Sequence, residues 1–398
     1  MNAANTDGRT TLVVWIILTC GVVAALHLGK AAIATPMLQA DLHLSLDEAG
    51  WLTGLFAGLG LLCGAPAGAV AAAFGGRNTL LLGLGVMVLA GAGGAAMPSY
   101  PGLLVTRFLE GLGFMLVIVA GPAILERVTT GAERDVAFGL WSCFMPCGMA
   151  LAMLAGPLFQ TWQSFWWTSA ALAVASIGVV TCRVPPSASP KTFTLKTMQA
   201  DIRQLLCSRG AMLLALGFAL YSLVFFALFS FLPVLLMERM DVSYRSAGVL
   251  SALASAMNAS GNLAAGYLIA RGAGRVQLVV IASTIMGLSG MGIFLGGLPA
   301  FATFLLCLFF SAIGGLIPAT LLASAPLVAR QAALVPITVG LMMQGSNLGQ
   351  MLGSVAVGSV TTAFGWEMAS AVVAMATVAT GAVAFLLRPV LRDSVQYL

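Results

Sequence analysis

Between Trp15 and Pro389 long apolar stretches follow one another, separated by short polar breaks. Twelve of them are long enough to cross a bilayer, whose hydrocarbon core takes about 20 residues of helix. They cover roughly 12–35, 49–71, 78–97, 101–124, 135–158, 164–183, 211–237, 246–270, 275–297, 300–325, 334–361 and 366–388. Segments this long satisfy their own backbone in lipid only as helices, so the pattern predicts an all-α membrane protein, a polytopic helical bundle. Composition agrees. The chain is 60% hydrophobic and 8% charged, where a soluble chain carries about 25% charge. Its outer surface is therefore expected to face lipid.

Lys and Arg set the expected orientation. With the N-terminus in the cytoplasm, the inner segments hold Arg9, Arg77, Arg127, Arg134, Arg183, Lys191, Lys196, Arg203, Arg209, Arg271, Arg275, Arg330, Arg388 and Arg392, and the outer ones hold Arg239 and Arg245. Both termini are thus expected in the cytoplasm, with the bundle in an inner (plasma) membrane. The net charge of +5 then reflects inner loops beside anionic lipid. No basic cluster is interleaved with aromatic residues as a nucleic-acid surface would be, so no nucleic-acid partner is expected. The first apolar stretch is long and lacks a convincing cleavage site, so it is read as a retained span. Trp162, Trp166 and Trp167 are expected to form an aromatic belt at the outer interface. Of the seven cysteines, Cys143 and Cys147 share a helix face. No His or carboxylate lies near them in sequence, so packing is expected and no metal or cofactor.

The longest polar interruption, 184–210, contains Pro185, Pro186, Pro190, Lys191, Lys196 and Arg203. It divides the chain into a six-helix half over 1–183 and another over 211–398, with a cytoplasmic connector between. An internal repeat supports the division. Gly50 and Gly68 are 18 residues apart, as are Gly248 and Gly266, and Arg77 and Arg275 each follow nine residues later. The paired glycines are offset by 198 residues. Two similar halves of one orientation suit a transporter that rocks about a midplane substrate site. In this arrangement the chain resembles the major facilitator superfamily over nearly its whole length. In general texture it is similar to that family's cyanate and nitroimidazole transporter branch.

The family's loop between helices 2 and 3 reads Gly-x-x-x-Asp-Arg-x-Gly-Arg-Arg, and here the corresponding stretch runs from Gly68 to Arg77. The Asp and the first Arg are replaced by Ala72 and Ala73. A second copy runs from Gly266 to Arg275 and keeps Arg271. The resemblance implies conformational roles for Gly68, Arg77, Gly266, Arg271 and Arg275, with thinner charge pairing than usual. The fourth span holds Arg107, Glu110, Gly111 and Gly113, similar to the family's Arg-x-x-x-Gly-x-Gly segment. Arg107 and Glu110 are three apart and can pair. An ionisable group inside a membrane is functional by default, so proton coupling is expected from Glu110 with Arg107. Gly148, Ala152, Gly156 and Pro157 resemble the small-residue run of proton-driven exporters, which implies a conformational role for Gly156 and Pro157.

His27 and Lys30 share one face of the first span, and the resemblance implies that basic groups there serve organic anions. Tyr221, Phe225 and Phe229, Asn258 and Asn262, and Gln344 and Asn347 form polar or aromatic stripes on three later spans. Of these, Tyr221, Phe225, Asn258, Gln344 and Asn347 join His27 and Lys30 as expected substrate contacts. Gly83, Gly85 and the Gly91–Gly94 cluster lie within the third span and are read as packing surfaces. Ser45 and Glu48 form a capping box, which is taken to explain Asp47 as well. No phosphate-binding loop is present. The expected function is a monomeric secondary active transporter of a small, anionic organic solute, proton-coupled, working by alternating access. The alternatives are a proton-driven multidrug exporter and, remotely, a membrane-embedded enzyme. The enzyme would need a nucleophile beside a base, and the two histidines, His27 and His43, offer little.

Overall fold

The computed structural model describes residues 3–62, 74–186, 208–329 and 335–395. Gly68 and most of the connector lie outside them. Helices account for nearly all the described residues, and no strand occurs among them. In order they are α1 (Ala3–Leu42), α2 (Leu46–Gly54), α3 (Gly76–Ala96), α4 (Tyr100–Val128), α5 (Gly131–Ser142), α6 (Phe144–Ala155), α7 (Trp162–Arg183), α8 (Arg209–Phe229), α9 (Leu232–Met240), α10 (Tyr244–Ala270), α11 (Arg275–Leu295), α12 (Ala300–Gly314), α13 (Leu316–Ala329), α14 (Val335–Phe364) and α15 (Trp366–Val395). Nine helical stretches among the described residues are long and apolar enough to cross a membrane. The expected span over 49–71 lies partly outside the described residues. Those over 246–270 and 334–361 fall in α10 and α14, helices of 27 and 30 residues that carry Ser, Asn, Gln and Gly along their length. Large apolar side chains such as Leu89, Leu158, Phe301 and Val378 stand exposed around the bundle, as a lipid-facing surface requires.

Three expected spans are jointed. The stretch over 135–158 breaks at Cys143, 211–237 at Ser230 and Phe231, and 300–325 at Gly315. In each case a proline, Pro146, Pro233 or Pro318, sits in the first turn of the new helix. There its missing N–H costs nothing, whereas deeper in a continuous helix it would remove a hydrogen bond. Pro36 is the contrasting case, because α1 continues through it to Leu42.

The internal repeat has a matching backbone. α1 is followed by His43 and α9 by Asp241, both left-handed, with φ of 53° and 51°. They are 198 residues apart, and His and Asp tolerate this region better than most residues. Two positions later Ser45 and Ser243 cap α2 and α10, each accepting a backbone N–H three residues on. Gly50 and Gly248 then follow at the same offset. Each lets its helix approach a helix from the other part of the chain. A methyl group on Gly50 would lie 2.6 Å from the Ser354 carbonyl oxygen of α14, and one on Gly248 would lie 2.7 Å from the Met153 carbonyl oxygen of α6.

These approaches belong to a seam in which α2 packs on α14 and α6 on α10. One end of the seam is stitched by polar contacts. Tyr244 donates to the Ile33 carbonyl at 2.9 Å, the Asp47 N–H donates to Thr362 Oγ1 at 3.1 Å, and the Ser359 hydroxyl donates to the Asp47 carboxylate. Ser45 and Glu48 do form the capping box, but it does not explain Asp47, whose side chain reaches across the seam instead.

Candidate functional site

His27 and Lys30 lie one turn apart on α1, and Arg107 and Glu110 one turn apart on α4. α1 packs on both α4 and α7, and this brings the two pairs together with Ser169. All five residues are fully buried. Lys30 Nζ donates to Glu110 Oε1 at 2.5 Å and to Ser169 Oγ at 3.0 Å. Arg107 Nη1 donates to Glu110 Oε2 at 2.6 Å. His27 Nδ1 lies 2.9 Å from Glu110 Oε1 and 3.3 Å from Lys30 Nζ. His27 Nε2 lies 3.0 Å from the carbonyl oxygen of Ser169. A carbonyl can only accept, so Nε2 carries a proton in this arrangement.

Three further donors of Arg107 are held by backbone. Nε donates to the Leu52 carbonyl at 3.1 Å, and Nη1 and Nη2 reach the carbonyls of His27 and Leu28. The guanidinium also sits 4.4 Å from the Phe56 ring centroid, and the Lys30 ammonium 4.5 Å from that of Trp166. Cation–π contact of this kind matters most where water is excluded. With His27 neutral, Lys30 and Arg107 face a single carboxylate, so the cluster carries one surplus positive charge.

Small residues make room for this polar core. A methyl group on Gly91 of α3 would lie 3.2 Å from Glu110 Oε1 and 3.4 Å from His27 Cε1. One on Gly111 would run into the backbone carbonyl of Phe56. Gly91 is thus more than a helix-packing surface, since it roofs the charged group. The tryptophans also depart from expectation. Trp167 is exposed, as a belt residue should be, but Trp162 and Trp166 are buried. Trp166 flanks Lys30, and Trp162 Nε1 donates to Asp41 at 2.8 Å.

The other expected substrate contacts do not converge on this cluster. Tyr221, Phe225 and Asn258 are buried between α8, α10 and α12. There the Asn258 amide donates to Tyr221 Oη at 3.3 Å and to the Ser311 carbonyl at 3.1 Å. Phe225 stacks on Phe229 with centroids 4.2 Å apart. Asn262 donates to the Asn258 side chain at 3.0 Å. Gln344 lies on the seam and donates to the Leu61 carbonyl at 3.2 Å. Asn347 bonds within its own helix, to the Met343 carbonyl, and abuts Gly60.

Among the residues expected to act in conformational change, Gly156 packs against Ile33 of α1, and Pro157 against Gly248 of α10. Arg77 Nη2 donates to the Thr181 carbonyl at 3.0 Å. Arg271 is exposed and stacks on Tyr267 at 4.2 Å. Arg275 borders a small recess with Thr320 and Ser324, and Gly266 faces open space. No group of three His, Cys, Asp or Glu suited to a metal occurs among the described residues.

The family model described as Major Facilitator Superfamily matches residues 17–336. The 3-(3-hydroxy-phenyl)propionate transporter of Escherichia coli is 27% identical over 67% of this chain and 66% of its own length. The puromycin resistance protein pur8 of Streptomyces alboniger is 31% identical over 43% of this chain and 34% of its own length. These alignments thus span less than two thirds of either relative. Among solved structures, a bacterial homolog of the human lysosomal transporter Spinster, inward-facing and occupied, superposes with a TM-score of 0.76 at 16% identity, covering 96% of this chain and 98% of that one. A D-xylose–proton symporter superposes at 0.73 with 14% identity, covering 92% and 96%. At such identities the likeness is one of fold.

Proposed function

Because the chain belongs to the major facilitator superfamily, we propose that it is a proton-coupled secondary transporter of a small organic anion, working by alternating access in an inner membrane. The observation that carries this reading is the buried His27–Lys30–Arg107–Glu110 cluster. Each ionisable group held inside a membrane costs at least about 2.5 kcal/mol before compensation, and four in contact are a large investment for packing alone. The surplus positive charge favours an anion nearby, and the E. coli relative is named for an aromatic propionate. The two parts of the chain, 1–183 and 211–398, tilt about the α2–α14 and α6–α10 contacts, with 184–210 as their connector.

Lys30→Ala in proteoliposomes is expected to cut uptake of 3-(3-hydroxyphenyl)propionate, used as the probe anion, by at least about tenfold, the equivalent of about 1.4 kcal/mol. Reconstitution yield should be unchanged. Uptake of the anion at the wild-type rate by the variant, or transport of cationic drugs alone by the wild type, would remove the anion preference.

Topology has a separate test. Protease added to inside-out vesicles should cut within 184–210 and leave two helical fragments that stay together, since loops rich in proline and charge are nicked first. Cleavage from the opposite face of the membrane would reverse the orientation.

An exporter is the second reading. The puromycin and tetracenomycin C resistance proteins among the relatives favour it, as does the close packing of Gly148 on Val22 and Ala25 of α1. Drug extrusion by inverted vesicles under an imposed proton gradient, without anion uptake in right-side-out vesicles, would select it.

A further inference from the structure

Glu110 and His27 answer differently to one added proton. The two oxygens of Glu110 already receive Lys30 and Arg107, with His27 Nδ1 in reach of Oε1. A proton placed on either oxygen would neutralise the carboxylate to which Lys30 and Arg107 both donate, weakening both ion pairs. His27 has a free choice. Its Nε2–H is committed to the Ser169 carbonyl, while Nδ1 stands between an ammonium at 3.3 Å and a carboxylate oxygen at 2.9 Å. As a bare lone pair, Nδ1 accepts from Lys30. Once protonated, it donates to Glu110, and Lys30 keeps Glu110 Oε1 and Ser169 Oγ as acceptors. Nδ1 thus has a partner in either state, Lys30 when bare and Glu110 when protonated. The 2.9 Å contact with Glu110 Oε1 is a hydrogen bond only in the protonated state, and losing the proton sets two acceptors face to face and loosens it.

We propose that His27, oriented by the backbone carbonyl of Ser169, takes up the mobile proton of this cluster, and that Glu110 remains its ionised counter-charge. The assignment rests on the proton-coupled reading above and places the proton one residue away from the acid that sequence alone favours. The step is balanced. The Nδ1 lone pair binds one proton arriving from the aqueous side, the imidazole becomes imidazolium, and the Lys30 N–H that pointed at Nδ1 turns away.

The groups facing His27 are Lys30 from its own helix, Glu110 and Arg107 from α4, and Ser169 from α7. Gly91 of α3 adds no charge, nor do any of the residues of α6. α2 contributes the Leu52 carbonyl through Arg107, its Asp47 and Glu48 being held at its start. The charged residues of α9 are engaged elsewhere, Glu238 with Trp366 Nε1 and Arg239 with the Phe294 carbonyl. On α5, Glu133 sits in the first turn.

The chain has two histidines, which makes the test clean. His43→Asn, conservative because that residue is left-handed, leaves His27 as the single imidazole. Solid-state NMR of the isotope-labelled ring in liposomes, from about pH 5 to about pH 8 where histidine ordinarily titrates, should show Nε2 protonated throughout and Nδ1 gaining a proton as pH falls. Infrared difference spectra over the same range should lack a protonated carboxylic acid band assignable through Glu110→Gln. A His27 signal fixed in one state, with a Glu110 acid band appearing at low pH, would overturn the assignment and return the proton to Glu110. An Nδ1-protonated, Nε2-bare tautomer would overturn the role given to Ser169. Transport under an imposed pH gradient reads coupling itself. A wild-type protein indifferent to the gradient would refute the transporter's coupling even where the NMR change is seen.

Discussion

Glu110→Gln is expected to destabilise the packing of α1, α4 and α7 by about 3–5 kcal/mol, the range for breaking a buried ion pair by removing one partner. The carboxylate is the single anion among the described groups of the cluster, and its loss leaves Lys30 and Arg107 charged, buried and facing an amide. Glutamine preserves the shape, so the effect isolates charge. Two measurements read it. Thermal unfolding in detergent should show the loss, and Lys30→Gln added to Glu110→Gln should restore part of it by removing one of the stranded cations. In vesicles the variant should lose the response of transport to a pH gradient while keeping substrate binding and exchange. If Glu110→Gln unfolds at the wild-type temperature and accumulates substrate with normal pH dependence, the carboxylate is neither the counter-charge nor a part of coupling.

Enlarging Gly50 or Gly248 is expected to open the stitched end of the seam. At both positions a methyl group would lie within 2.7 Å of a backbone carbonyl across the seam, and backbone cannot turn aside as a flexible side chain can. Overpacking of this kind typically costs about 1–3 kcal/mol, and each 1.4 kcal/mol or so shifts an equilibrium about tenfold. Alanine is also the better helix former by up to about 1 kcal/mol, so each helix should stay intact while its approach fails. Gly50→Ala and Gly248→Ala should therefore fold and shift population towards conformers in which this end is apart. Distances between spin labels at Ala40 and Asp241, at the ends of α1 and α9, should lengthen in each variant. Unchanged distances in both would mean that the glycines serve local packing and do not hold the seam closed.

The class of protein was plain in the sequence because lipid imposes it. Stretches of about 20 apolar residues can only be spans, and 8% charge cannot clothe a soluble surface. Local pairs were legible for a similar reason. Residues three apart share a helix face, so His27 with Lys30 and Arg107 with Glu110 could each be read as a unit, and the repeated glycines announced equivalent positions in the two parts of the chain. The meeting of the two pairs was not legible. Eighty residues separate Lys30 from Glu110 and 142 separate His27 from Ser169. A span that is apolar all round gives no periodic sign of which face turns inward. In a soluble protein the polar face marks the outside, but between lipid and neighbouring helices the choice is made by close packing and interhelical hydrogen bonds. Hence Trp166 read as an interfacial anchor and Gly91 as plain packing. Only the lateral arrangement of α1, α3, α4 and α7 shows one flanking the lysine and the other making room above the carboxylate. Asp47 tells the same story at the seam, where its role depends on α14, some three hundred residues away.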